Sequence, residues 1–291
     1  MTRIERSSAL MLTPAAALFG LFVLVPSLIA VYVSLLHWDG IASPTWAGLD
    51  NWTNLFSDSL TLKSMWLTLQ VVVLSWLVQT PIALLLGLFM AGQQRYRGVM
   101  GALFFLPLLF SSAAVGLAWL YLLNPDFGLT AHLGLGSLSK NWLGDTGTAL
   151  YAVIFVIAWQ FIPFHALLYQ AAARQIPKPL YEAATIDGVG TWQMFRYITL
   201  PQLRYTIVTS SLLMVTGALT YFDLIYVLTL GGPGDATRTL PLHMYLTAFQ
   251  EQQIGAGSAI AVLLTVIGIL VSLVLLRVSG FRRFESQQEG M

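Results

Sequence analysis

Cysteine is absent from this 291-residue chain. That removes disulfides, thiolate metal sites and cysteine nucleophiles in one step. Charge is also scarce. Only 9% of the residues are charged, against about 25% in an ordinary soluble domain. Lysine is rarest, at Lys63, Lys140 and Lys178 alone. None of the three stands in the Gly-x-x-x-x-Gly-Lys-Ser/Thr context that cradles phosphates, so the chain has no P-loop of its own. Gly188-x-Gly190 reads as a turn, not a dinucleotide fingerprint. His37, His132, His165 and His243 are too scattered for metal-ligand spacing. No nucleophile–base pair or metal cluster emerges, so no catalytic residue is assigned and the chain reads as non-catalytic. Internal repeats and low-complexity tracts are missing too.

What the chain has is apolar length. Hydrophobic residues make up 57%, and they gather into runs that can cross a bilayer, which takes about 20 residues as a helix. The expectation is an all-α membrane protein, a single domain over 1–291. Its six transmembrane helices fall at about 10–36, 64–91, 99–123, 148–172, 205–230 and 256–278. The first run is too long for a signal-peptide core and is read as a retained span. Pro107 and Pro163 are expected to break the third and fourth spans, which membrane helices tolerate where neighbours re-satisfy the backbone.

Direction follows from basic residues, which favour the cytoplasmic side. With the N-terminus inside, that side holds Arg3, Arg6, Arg95, Arg97, Arg174, Lys178, Arg196, Arg204, Arg277, Arg282 and Arg283. Only Lys63, Lys140 and Arg238 lie outside. Both termini, and a polar loop over about 173–204, are then cytoplasmic. The outer loops, at about 37–63 and 124–147, carry Trp38, Trp46, Trp52 and Trp142, either as an interfacial belt or as a rim for an external protein. The tail Glu285–Met291 is short and polar, and is expected to be mobile.

The cytoplasmic loop reads as helix–turn–helix. Pro177 and Pro179 stop the preceding span and start a short helix near Leu180. That places Glu182 in the first turn, where a carboxylate suits the helix dipole. Ala183 and Ala184 keep the helix surface small, and Asp187 and Gly188 close it. Thr191 is expected to cap a second helix whose Trp192, Phe195 and Ile198 share a face. Pro201 should bend or end it before the fifth span.

Glu182-Ala183-Ala184, Gly188, then Ile198, Leu200 and Pro201 resemble the "EAA loop" of binding-protein-dependent ABC importer permeases. Asp187 fits the carbohydrate branch. Phe222-Asp223, Tyr226, Thr229-Leu230-Gly231-Gly232-Pro233, Thr237, Leu240 and Tyr245 resemble the fifth-span exit of MalF-like sugar permeases. Val189 stands for a usual alanine, and Tyr205 stands where proline often follows. The resemblance implies several partners: a second homologous permease, two ABC ATPase subunits docking on the loop, and an external solute-binding protein. It implies a place in the bacterial or archaeal cytoplasmic membrane. ATP and magnesium would be used by the ATPases; this chain would bind no cofactor, no metal and no nucleic acid.

A charge inside a span needs a reason, and Asp223, beside Tyr221, is the one acidic residue there. It reads as a solute contact or gate element, or else as a structural hydrogen-bond acceptor. Trp119, Trp159 and Gln160 join it as candidate pathway residues, because amides beside aromatic faces suit a neutral polyol. Gln70, Gln79, His165 and Gln170 are further polar groups that also serve as packing glue. No lysine or arginine lies deep in a span, which favours an uncharged solute such as a neutral sugar or oligosaccharide. A permease for another solute, an ion-coupled secondary transporter and a membrane enzyme or scaffold are the competing classes.

Overall fold

The computed structural model describes residues 12–92, 95–132 and 140–278. Arg3, Arg6, Arg282 and Arg283, used above for orientation, and the tail Glu285–Met291 lie outside the described residues. Among the described residues the regular structure is helical apart from one two-stranded hairpin. Two units divide it: Met1–Lys63 with His243–Ile267, and Ser64–Leu242 with Gly268–Met291.

The first unit begins with α1 (Leu12–Val33), almost wholly exposed and apolar. Lipid, unlike water, leaves such a face no reason to hide. Strands β1 (Leu36–His37) and β2 (Thr45–Trp46) pair antiparallel, Leu36 with Trp46 and His37 with Thr45. Helix α2 (Asp50–Ser57) follows. Its buried Asn51 locks the hairpin, donating through Nδ2 to Ser34 O (2.9 Å) and Leu36 O (2.8 Å). The chain rejoins this unit later through a π turn (Leu246–Gln250) and the start of the last span. There Gly255 is obligatory: a Cβ on it would meet Leu36 O at 2.0 Å.

The second unit holds most of the spans. It contains most of α3 (Ser59–Ala91), then α4 (Arg95–Leu109) and α5 (Ser112–Leu122). Helix α6 (Ala149–Arg174) is the most buried span. The loop helices follow: α7 (Lys178–Ile186), α8 (Thr191–Met194), a π turn (Phe195–Thr199) and α9 (Leu200–Gln202). Next come α10 (Arg204–Ala218), α11 (Asp223–Thr229) and α12 (Leu240–Tyr245). The last span is α13 (Ile254–Val278).

Among the described residues, four helices are long and apolar enough to cross a membrane, or up to six if two bent pairs each count as one span. These bent pairs correct the expected breaks. Helices α4 and α5 meet at 97°, and α10 and α11 at 50°. Pro107 lies inside α4, and the chain turns after it, at Phe110–Ser111, where Ser111 Oγ caps α5 by accepting from Ala114 N–H. Pro163 does not break its span: α6 runs through it. The α10–α11 pair bends without any proline, at 219–222.

Helices α3 and α6 touch backbone to backbone at Gly87, where a Cβ would sit 2.6 Å from Ala166 O. Such small-residue approaches are how membrane helices pack without a hydrophobic drive. Polar pairs tie each of these helices to α10. Trp76 Nε1 donates to Ser211 Oγ (2.8 Å), and His165 Nδ1 lies 2.9 Å from Ser210 Oγ.

Candidate functional site

The loop between α6 and α10 is built on a firm base. Met90, Ala166, Tyr169, Ile176 and Leu203 form a buried cluster, and Tyr181, Phe195 and Leu200 pack on it. The loop is thus seated on the ends of α3 and α6.

Helix α7 starts at Lys178, directly after Pro177, with Pro179 in its first turn. This is two residues earlier than the sequence suggested. Glu182 therefore stands in the second turn, beyond the reach of the dipole effect, which fades within one turn. The helix is two-faced. Ala184 is buried and Tyr181 half-buried, while Glu182, Ala183 and Ile186 are exposed. Ile186 is 87% exposed. Tyr181 reaches across to Thr199, hydroxyl to hydroxyl at 2.8 Å.

The helix closes with a Schellman motif. Gly188 N–H donates to Thr185 O (3.1 Å), and Val189 N–H donates to Ala184 O (2.9 Å). That geometry needs a left-handed residue after the C-cap, and Gly188 supplies it with φ +72°. Asp187 is the C-cap residue itself.

Thr191 is not the next cap. Gly190 takes that place in extended conformation, and Gln193 Oε1 accepts from Gly190 N–H at 3.2 Å. Of the predicted face, Trp192 is 72% exposed, while Phe195 and Ile198 are half-buried. Pro201 does not end the run: α9 continues through it, and the turn comes at Leu203. Leu200 packs inward and Pro201 is exposed. The sequence reading missed two exposed apolar side chains on this loop, Ile186 and Tyr197. An isoleucine among polar neighbours at the end of a short helix was the available signal.

The candidate pathway residues are not one cluster. Trp119 stands edge-on to Trp159 (centroids 5.4 Å) and to Phe155 (5.1 Å). Gln160 faces away from this pair. It is buried, with Nε2 directed at Phe110 O (3.4 Å) and Ser112 Oγ (3.3 Å), so it braces the α4–α5 corner. Tyr221 stacks on Phe161 at 5.2 Å. Asp223 is exposed in the first turn of α11, directly after the α10–α11 bend. There the carboxylate complements the positive end of a short helix. Among the described residues, no group of three or more His, Asp or Glu could hold a metal.

Comparison with known proteins adds three findings. Residues 79–283 match the family described as "Binding-protein-dependent transport system inner membrane component". The chain is 35% identical over 271 residues to the probable ABC transporter permease YurN of Bacillus subtilis, covering 91% of this chain and 92% of that protein. It is 32% identical to the trehalose/maltose transport system permease MalF of Thermococcus litoralis, covering 94% of each. Among solved structures, a bacterial ABC transporter that imports the acidic polysaccharide alginate superposes with a TM-score of 0.80 at 24% identity, covering 97% of both chains.

Proposed function

This chain belongs to the family of binding-protein-dependent transport system inner membrane components, and on that premise we propose that it is one of two permease subunits of an ATP-driven ABC importer for a sugar or oligosaccharide. It is a multi-pass membrane protein with apolar helices of spanning length. The proposed arrangement is six spans with both termini and the 173–204 loop in the cytoplasm, all in one permease domain. A second permease would complete the pathway, and an external binding protein would deliver solute. Two ATPase subunits would hydrolyse ATP with magnesium, since this chain has no P-loop.

The observation that carries the reading is the outer face of α7. It presents Glu182, Ala183 and Ile186 to solvent on a helix whose inner face is fixed by Tyr181 and Ala184. A helix seated this way transmits force rather than absorbing it. One of the ATPases would grip Glu182 and Ile186, with Gly188 holding the turn. Closure of the ATPases would move α7, and through Phe195, Leu200 and Leu203 the ends of α3, α6 and α10.

The solute would be uncharged. Trp119 and Trp159 offer flat faces, Tyr221 and Asp223 offer polar groups at the α10–α11 bend, and no cationic side chain lies deep in a described span. Gln160 would act on the pathway through the corner it braces. The trehalose/maltose relative supports a neutral sugar.

The test is ATP hydrolysis by the reconstituted complex, with its binding protein loaded with candidate sugars. Stimulated hydrolysis that is lost in Glu182→Lys and Gly188→Pro supports the coupling role and identifies the sugar. Undiminished stimulation in both variants overturns it.

A further inference from the structure

Between α3, α4 and α6 lies a cavity of about 450 Å³, lined by Leu86, Met90, Phe104, Pro107, Trp159 and Ile162 among others. Apart from the Met90 sulfur and the Trp159 indole nitrogen, every lining side chain is hydrocarbon. Leu103, Leu106 and Phe110, also lining it, are exposed, so the cavity opens towards what surrounds the spans.

Two guanidinium groups converge on the end of α3 that borders this cavity. Arg97 Nη1 donates to Phe89 O (2.5 Å), with its guanidinium 4.7 Å from the centroid of the Phe89 ring. Arg174 Nη2 donates to Met90 O (3.2 Å), the carbonyl that Gln170 Nε2 also reaches at 2.9 Å. Met90 itself lines the cavity. Neither arginine forms an ion pair with a carboxylate among the described residues. Each guanidinium carries five donors in a fork suited to phosphate; Arg174 spends one nitrogen on the Met90 carbonyl, and Arg97 spends Nη1 on Phe89 O and Nε on Tyr96 Oη (3.3 Å), which leaves its Nη2 for an anion.

We propose that this is a site for an anionic phospholipid, with one acyl chain in the cavity and the phosphate held between Arg97 and Arg174. The walls select hydrocarbon and the two cations at one end select negative charge. Basic pockets between spans recognise anionic headgroups in this way. A partner's helix is the poorer occupant. The cavity admits roughly one turn of an α-helix about 10 Å across, and a helix would leave both guanidinium groups without a counter-charge. The inference goes beyond transport and requires only that the spans lie in a bilayer.

The experiment uses the assembled complex in nanodiscs of equal phosphatidylglycerol and phosphatidylcholine, followed by detergent extraction and mass spectrometry of the retained lipid. Wild type should retain phosphatidylglycerol in excess. Arg97→Gln and Arg174→Gln should each cut that preference roughly fivefold, and Leu86→Trp should reduce retention of both lipids. Unchanged phosphatidylglycerol enrichment in the double arginine variant overturns the proposal. A photo-crosslinking residue at Leu103 gives a second reading with both arginines intact. Adducts of phospholipid mass support the site, and crosslinks to the second permease overturn it. Sugar-stimulated hydrolysis is not read in either arm, so failure here leaves the transport reading to its own test.

Discussion

The phenol of Tyr181 on α7 and the hydroxyl of Thr199 at the end of the π turn lie 2.8 Å apart. They join the two halves of the loop, and Thr199 is buried. Tyr181→Phe keeps the ring on its cluster and removes this one bond. The expected cost is about 1 kcal/mol, localised to the loop. Amide exchange should quicken over 178–186 and leave α6 unchanged.

Gly188 sits at φ +72° with open space where a Cβ would go. The penalty of a side chain there is therefore conformational and not steric. Gly188→Ala should destabilise the turn by about 1–2 kcal/mol, and Gly188→Asn should recover part of it. Gly190 has φ −73°, so Gly190→Ala should be milder. Urea sensitivity of loop proteolysis ranks the three.

At Gly87 the constraint is space. An added Cβ would lie 2.6 Å from Ala166 O and 2.7 Å from Tyr169 Cβ. Gly87→Ala should force α3 from α6 and cost about 1–3 kcal/mol, seen as a lower Tm of the purified complex. Gly98, whose Cβ would meet nothing within 4 Å, is the control, and Gly98→Ala should not lower Tm.

Asp58 precedes α3 and caps it. Partial burial pushes its carboxyl up, but hydrogen bonds from Thr61 Oγ1 and the Thr61 and Leu60 amides, with His243 nearby, outweigh this and hold it below the ordinary 3.8. A depressed carboxylate stabilises the fold above its unfolded pKa, and that contribution is lost as pH falls through the folded value. Asp58→Asn keeps one acceptor at the cap but loses the charge and the second acceptor oxygen, so it should lose part of that contribution at neutral pH and flatten the acid loss. Asp58→Ala should cost about 1 kcal/mol at neutral pH. Thermal melts from pH 3 to pH 7 separate the two.

The spans were legible because lipid demands long apolar runs: 64–91 falls within α3, and 148–172 matches α6 to within two residues at each end. The loop was legible too, through its prolines and Gly188. The breaks were not. Proline marks where a helix can bend, but Pro163 sits in α6 where surrounding helices bury it. The bend at Phe110–Ser111 rests on Ser111 capping and on Gln160 bracing from 48 residues away, and no local window contains that. The same reason separated Trp159 from Gln160. Neighbours in sequence point about 100° apart on a helix, and only the packing decides which one turns inward.

Helices α5 and α11 are the far arms of the two bent pairs, and they pack on each other at Gly116, where a Cβ would meet Val227 at 3.0 Å. Opening the Phe110–Ser111 corner alone would shear the Gly116–Val227 contact, so the bend at 219–222 is expected to turn with it. A single crosslink between α5 and α11 should then leave this motion unhindered, whereas a crosslink across either corner should arrest both.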